Sequence, residues 1–377
     1  MREILTNKKL LEFILIIYGE IDYAGIFIEK VRMSALTMND SKKEYTTLSV
    51  FDSPECSNED TNSSSIGTSK IVVNDTLSIE IAAVFDGHGG GEASMFLKEH
   101  FIDCFISSIS PASFSAELTK ECIDSITAFS GTDEVYRGII DGGVIGIDTE
   151  LCKHLRTLKL NGRDPGSTMS MWINFITPSG SNSYLVNVGD SPAYAVCRNT
   201  GVITRAILHD IKDVECHSEV EQIPHVTIIT RRNNRRIMDI CIRSPTICEM
   251  IPSATMMYMN GIRALNIPRS LGHIRWNTSI NKHPEITKVP EDADTVVLMT
   301  DGVSDMMVDI DEYLQKSEEL EWNVNEIGSF YRDRWYQPWN QRCNGSVSTE
   351  TAYIAIKGDK LHVSDDMTIV QVKIGKI

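Results

Sequence analysis

The order of strand-like and helix-like stretches predicts an α+β fold built on antiparallel sheets. Strand-like runs come first, helices follow, strands return, and a helix precedes one last strand. Such segregation argues against the strict alternation of a doubly wound parallel sheet. No composition break reads as a linker, so residues 1–377 are expected to form a single domain with insertions.

The first strand is expected over Thr46-Thr47-Leu48-Ser49-Val50-Phe51, and the next from Leu77 to Phe85. Between them, residues 52–69 are rich in Ser, Asn, Asp, Glu and Thr, the composition of an exposed loop. The two strands are therefore expected to pair as a hairpin carrying an insertion. From Glu92 to about Phe129 the apolar spacing turns helical, with Met95, Phe96, Phe101, Phe105 and Ile106 on one face. A second helix is expected from Glu134 to Leu158. Met169 to Ile176 and Ser183 to Val188 read as strands about the turn Pro178-Ser179-Gly180. Thr295 to Met299 reads as a short buried strand, Asp309 to Phe330 as mostly helical, and Met367 to Ile374 alternates like a closing strand.

Composition narrows the function classes. Apolar residues at 42% and charged residues at 23% exclude a wholly disordered or collagen-like chain. Thirty-six Lys and Arg against 52 Asp and Glu leave a net charge of −16, so phosphate backbones are repelled and nucleic acid is not an expected partner. No apolar run reaches the ~18 residues of a membrane span. Leu10 to Tyr18, preceded by Arg2, Lys8 and Lys9, has the look of a signal peptide, but Glu12 interrupts it and no small-x-small cleavage site follows. It is expected to be a buried element. The nine cysteines form no Cys-x-x-Cys pair, and their odd number in a long chain reads as reduced thiols in an intracellular compartment, cytoplasmic or nuclear. A monomer without membrane attachment is expected.

Three acidic motifs each follow an apolar strand: Val84-Phe85-Asp86-Gly87-His88-Gly89-Gly90, Leu298-Met299-Thr300-Asp301-Gly302, and Val363-Ser364-Asp365-Asp366-Met367-Thr368. A carboxylate mounted at a strand end is a rigid oxygen ligand, and hard cations such as magnesium or manganese favour such oxygens. Two such ions ~3.5–4 Å apart can activate a water and clamp a phosphoryl group. Taken singly, an Asp-Gly pair is more often a turn.

Together, and in this order, the motifs carry more. The chain resembles the protein phosphatase 2C family of metal-dependent serine/threonine phosphatases. Val84 to Gly90 matches that family's Asp-Gly-His-Gly-Gly signature, Gly166-Ser167-Thr168 its Gly-Ser-Thr turn, and Asn187-Val188-Gly189-Asp190-Ser191 its Gly-Asp-Ser motif. Arg269-Ser270-Leu271-Gly272 resembles its Ser-Arg-Ala-Leu-Gly segment. Asp301-Gly302-Val303-Ser304-Asp305 matches its Asp-Gly-x-x-Asp motif, and Ser364 to Thr368 resembles its closing Asp-Asn-Met-Thr.

The resemblance implies two antiparallel β-sheets packed as a central sandwich flanked by α-helices. It implies hydrolysis of phosphoserine and phosphothreonine in protein substrates by a metal-activated water, with two magnesium or manganese ions and a third held weakly. On the matching positions, Asp86 would bridge the two ions, the Gly87 carbonyl would ligate one, and Asp301 and Asp365 would complete the protein ligands. Asp40 would act through a water, and Asp305 and Asp190 fall at positions associated with the third ion. His88 would protonate the leaving oxygen.

The pattern also departs from the family. Near the amino terminus an acidic pair becomes Asn39-Asp40, and the arginine expected to grip substrate phosphate falls near Ala35, so Arg32 is the nearest candidate for phosphate binding. Pro192 follows the Gly-Asp-Ser motif where arginine is usual, and His273 stands where the flap segment carries Asp; its imidazole could still ligate manganese. Residues 202–261 form a divergent flap-region insertion, in which Arg231-Arg232-Asn233-Asn234-Arg235-Arg236 reads as a solvated loop tip or a dock for an acidic partner. Tyr331 to Trp339 reads as a loop anchor or a peptide groove. These departures feed an alternative: a catalytically inactive phosphatase-like protein that binds or regulates a phosphoprotein partner. Asp86, His88, Asp301 and Asp365 oppose it, because a binding module has no physical need for four clustered titratable groups.

Overall fold

The computed structural model describes residues 47–53, 65–74, 77–109, 133–177, 180–209, 226–231, 254–259, 263–265, 267–276, 280–334 and 366–374. Sixteen strands are described among them: β1 (Thr47–Ser53), β2 (Ser65–Asn74), β3 (Leu77–Phe85), β4 (Gly87–His88), β5 (Gly166–Ser167), β6 (Met169–Thr177), β7 (Gly180–Val188), β8 (Ala193–Cys197), β9 (Val202–Arg205), β10 (Val226–Arg231), β11 (Ala254–Met259), β12 (Arg263–Leu265), β13 (Leu271–Gly272), β14 (Glu285–Lys288), β15 (Thr295–Met299) and β16 (Met367–Lys373). The helices are α1 (Glu92–Ile109), α2 (Asp133–Thr157), α3 (Asp301–Ser304), α4 (Ile310–Glu319) and α5 (Val324–Arg334). Two five-stranded sheets dominate, in the orders β1-β16-β15-β8-β9 and β14-β7-β6-β3-β2, and two three-stranded ladders, β10-β11-β12 and β13-β5-β4, complete the set. The strand ladders are antiparallel, as the α+β reading expects.

Alternation of side chains along each strand builds four layers. On β3, Ala82 and Val84 join Trp172, Leu185, Ala193, Ala195, Val296, Leu298 and Val370 in the core between the two large sheets. The opposite face of β3, carrying Ile79, Ile81, Ala83 and Phe85, packs on Leu97, Phe101 and Phe105 of α1 and on Tyr136, Ile140 and Val144 of α2. The second sheet repeats the arrangement: Val297, Met299 and Ile369 face Tyr313, Ile327 and Tyr331 of the C-terminal helices. Central strands covered on both faces read as unbroken apolar runs, which is why all five residues of β15 are buried. Each such Val, Leu or Phe contributes ~1.5–3 kcal/mol by leaving water. The result is the α/β/β/α form of the expected sandwich.

Two local expectations are corrected. The strands Thr47–Ser53 and Leu77–Phe85 do not pair as a hairpin. β1 lies against β16, with Val50 opposite Val370, whereas β3 belongs to the other large sheet. The hairpin partner of β3 is β2, with Ser65 opposite Phe85 and Asn74 opposite Leu77. A two-residue connection closes at far lower entropic cost than a long excursion, so the nearer apolar run Ile71-Val72-Val73 takes the place. The loop expected over residues 52–69 is thus entered by strand from Ser65 onward.

The single helical stretch expected from Asp309 to Phe330 is two helices, broken at Glu321 and Trp322, whose φ angles are +51° and +57°. The Trp322 indole, donating to Glu318 at 2.9 Å and packed in the core, fixes the break. At the start of α4, Asp309 accepts from the Glu312 amide and Glu312 accepts from the Val308 amide, both at 2.9 Å, a reciprocal cap. Helix α1 stops at Ile109 within the described residues, two positions before Pro111, which disfavours helix in the residue preceding it. No described helix is long and apolar enough to cross a membrane. The expected element at Leu10 to Tyr18 lies outside the described residues.

Candidate active site

Asp86 and Asp301 each follow the last residue, or nearly so, of a buried strand, β3 and β15. Val84 and Leu298, close before them in sequence, share the core between the sheets. Asp86 is locked by a reciprocal contact with Thr168: its amide donates to Thr168 Oγ1 at 3.2 Å, and the Thr168 amide donates to its carbonyl at 2.8 Å. The same Thr168 hydroxyl lies 2.7 Å from Ser191 Oγ. Thr168 therefore joins three of the sequence motifs, the one at Asp86, the Gly-Ser-Thr turn and the one at Asp190.

Asp190 sits beyond the end of β7, after Gly189, whose φ of +106° suits only glycine. The Gly189 amide donates to Nδ1 of His209 at 3.2 Å, and the His209 amide returns a bond to the Gly189 carbonyl at 2.9 Å. Asn187 Nδ2 donates to the carbonyls of Gly189 and Ile207. Sequence reasoning missed His209, which is buried and carries no local pattern; nothing but the folded contact marks it.

At the other sheet, Asp301 opens α3 behind Thr300. The Thr300 amide donates to the Thr368 carbonyl at 3.1 Å, and the Thr368 amide donates to Thr300 Oγ1 at 3.0 Å. This brings the start of β16 beside Asp301. Asp305 stands one turn on, exposed, its amide closing on the Asp301 carbonyl at 2.7 Å. Asp365, Asp40 and Arg32 lie outside the described residues, as do residues 232–236 of the arginine cluster and Trp335 to Trp339. Tyr331 is buried and stacks on Tyr313 at 6.0 Å between ring centroids, which places the start of that aromatic stretch in the core.

His88 is positioned by the small β13-β5-β4 ladder, in which His88 pairs with Gly166 and Gly166 with Gly272. Its Nε2 lies 3.2 Å from Ser270 Oγ and 2.5 Å from Nε2 of His273. Burial lowers the His88 pKa to about 4, against the pull of the Asp86 carbonyl, and the Lys282 charge adds to the lowering. His273 is held well below the usual histidine range, first by burial, then by the charge at His88 and Lys282. Its Nδ1 meets the Asp164 carbonyl at 2.7 Å. Both ring nitrogens of His273 are thus engaged inside the protein, which leaves neither for a cation in this arrangement.

A buried ion pair braces the same segment. The Gly272 amide donates to Asp148 Oδ1 at 2.7 Å, Lys282 donates to the Gly272 carbonyl at 2.5 Å, and Lys282 Nζ lies 3.3 Å from Asp148. Both side chains are about nine-tenths buried, at 10% exposure for Asp148 and 9% for Lys282. Removing one member strands the other charge, which costs about 3–5 kcal/mol. Asp148→Ala is therefore expected to lower unfolding stability by that amount in urea; a loss under ~1 kcal/mol would show that the pair does not brace the fold.

The donor chemistry at the strand ends suits a hard divalent cation, since it consists of carboxylate and carbonyl oxygens. Among the described residues, no three His, Cys, Asp or Glu side chains gather closely enough to hold an ion by themselves.

An antiparallel sandwich between helical layers, with Asp86 and Asp301 following strands of its two large sheets, defines a known class of layered α+β fold. The family model for Protein phosphatase 2C matches residues 51–311, and the chain belongs to that family. Solved structures agree at the level of fold. A serine-threonine phosphatase 2C from Toxoplasma gondii is 14% identical with a TM-score of 0.57, covering 89% of this chain and 96% of its own. A sex-determining protein from C. elegans is 14% identical with a TM-score of 0.56, covering 92% of this chain and 70% of its own. No match is found among curated proteins.

Proposed function

We propose that this protein is a phosphatase that removes phosphate from serine and threonine in protein substrates, dependent on two magnesium or manganese ions. One observation supports it above the others: the acids at the ends of β3 and β15 flank one inter-sheet core, and the motif at Asp86 is locked to the one at Asp190 through Thr168. Asp86, the Gly87 carbonyl, Asp301 and Asp365 would hold the ions, with Asp40 acting through a water and Asp190 and Asp305 serving a third. Ions bound there supply positive charge at the phosphoryl oxygens and lower the pKa of an attacking water. Residues 1–377 would form one catalytic domain.

The chain's own residues then orient and protonate. Rigid strand ends fix the carboxylates before substrate arrives, so little reorganisation accompanies reaction. His88, as the imidazolium, donates a proton to the leaving oxygen. A phosphate dianion beside the ring favours the imidazolium and so opposes the effect of burial. Arg32 grips the substrate phosphate; Arg32→Ala is expected to raise KM for a phosphopeptide with kcat little changed, and an unchanged KM would remove it from the site.

The alternative, an inactive phosphoprotein binder, draws on the imidazole of His273 pressed against His88. Hydrolysis of an aryl phosphate with and without manganese separates the two: turnover appearing with manganese supports the enzyme, and none in either condition supports the binder.

A further inference from the structure

We propose that Arg163 is a specificity-determining residue: it draws to the site phosphorylated segments that carry an Asp or Glu side chain close to the phosphoserine, on one side of it. The proposal rests on the phosphatase reading and names the substrate class of that same site.

The small ladder places Arg163 at the border of the site. His88 pairs with Gly166, and the two segments stay together beyond that pair. A Cβ added to Gly89 would stand 2.9 Å from the Asp164 carbonyl, and one added to Gly90 would stand 2.8 Å from Arg163 Nη1. The guanidinium thus lies directly against Gly90, the last residue of the Asp86 motif. Its mount is fixed. The Arg163 amide donates to the Leu160 carbonyl at 2.8 Å, in a turn where Asn161 and Gly162 have φ angles of +48° and +89°. Arg275 clasps the same turn: its Nη1 donates to the Gly162 carbonyl at 2.7 Å, and its amide donates to Asp164 Oδ1 at 3.1 Å. At ~3.6 Å per residue the chain from Asp86 to Gly90 spans at most ~14 Å, so an extended substrate reaches Arg163 within about four residues of the phosphoserine.

The charge there is arranged to attract an acid. Arg163 is 49% exposed, and Glu92, at the start of α1, accepts from both of its terminal nitrogens. A planar guanidinium carries five donors, more than one carboxylate can occupy, so it can bind a substrate acid beside Glu92 or in its place. The surroundings are basic. From Arg156 to Arg163 the chain carries Arg156, Lys159 and Arg163, all exposed, and no acid; Arg275 adds a further exposed cation at the same turn. Asp164 is only 13% exposed. In a protein of net charge −16, an acidic substrate is repelled by most of the surface and drawn to this corner.

Binding and turnover of fluorescein-labelled phosphoserine peptides in manganese test this. A single aspartate is moved position by position through the residues flanking the phosphoserine, and each peptide is compared with asparagine at the same place. On one side only, the wild-type protein is expected to favour aspartate about 3–10-fold in both affinity and kcat/KM, between the worth of an exposed ion pair and that of a charge-assisted hydrogen bond. High salt should erase the difference. Arg163→Ala should remove the preference, and Arg163→Glu should turn it into a preference for lysine at the same position. No aspartate preference in the wild type, or one that survives in Arg163→Ala, overturns the inference. So does a loss in Arg163→Ala shared equally by the aspartate and asparagine peptides, which would make Arg163 a brace for the Asp86 motif. If the wild-type protein does not turn over, the phosphatase reading fails, and the ratios of affinity still decide the role of Arg163.

Discussion

Asp301→Asn is expected to reduce phosphatase turnover by well over ~10²-fold. Losing even an outer partner of a metal ligand typically costs 10–100-fold, and Asp301 is placed as a ligand itself. The substitution keeps shape and volume but removes the charge that holds a hard cation. The backbone around it is tied down independently of the carboxylate, by the Thr300 and Thr368 exchange, so the fold is expected to survive. Circular dichroism should match the wild type while manganese affinity and kcat collapse together. Wild-type turnover in the folded variant would remove Asp301 from the metal site.

His88→Asn should divide substrates by their leaving groups. A serine alkoxide needs a proton as its bond to phosphorus breaks, whereas a nitrophenolate leaves without one. General acid catalysis is worth ~10²–10⁴-fold, and the loss should appear only where the leaving group is basic. Phosphoserine peptide and phenyl phosphate hydrolysis should be crippled, activated aryl phosphates spared, and the dependence of log rate on leaving-group pKa should steepen. Equal losses throughout the series, with weaker metal binding, would make His88 a support for the metal site.

The layered sandwich was readable because its central strands are covered on both faces. Val296 to Met299 and Ile81 to Phe85 are continuous apolar runs, and an aspartate follows each within two residues. The partner of the first strand was not readable. β1 and β16 are separated by nearly the whole chain, and pairing between strands so far apart leaves no local mark. The break at Trp322 likewise depends on an indole finding the core from a left-handed turn. At the site, the acids and His88 stood out through their glycine neighbours. Asp148, Lys282 and His209 did not, since each is a single polar residue whose burial only the folded contacts reveal. His273 was visible as a departure from the family pattern, but its direction was not. The Gly166 surface that admits the ring comes from a segment about a hundred residues earlier in the chain.

The most direct measurement is phosphate release from a phosphoserine peptide by the purified protein in manganese, in excess chelator, and after manganese is restored. Metal-dependent hydrolysis predicts release with manganese, none in chelator, and recovery on restoration. Full release in excess chelator, or no release under any of the three conditions, would contradict it.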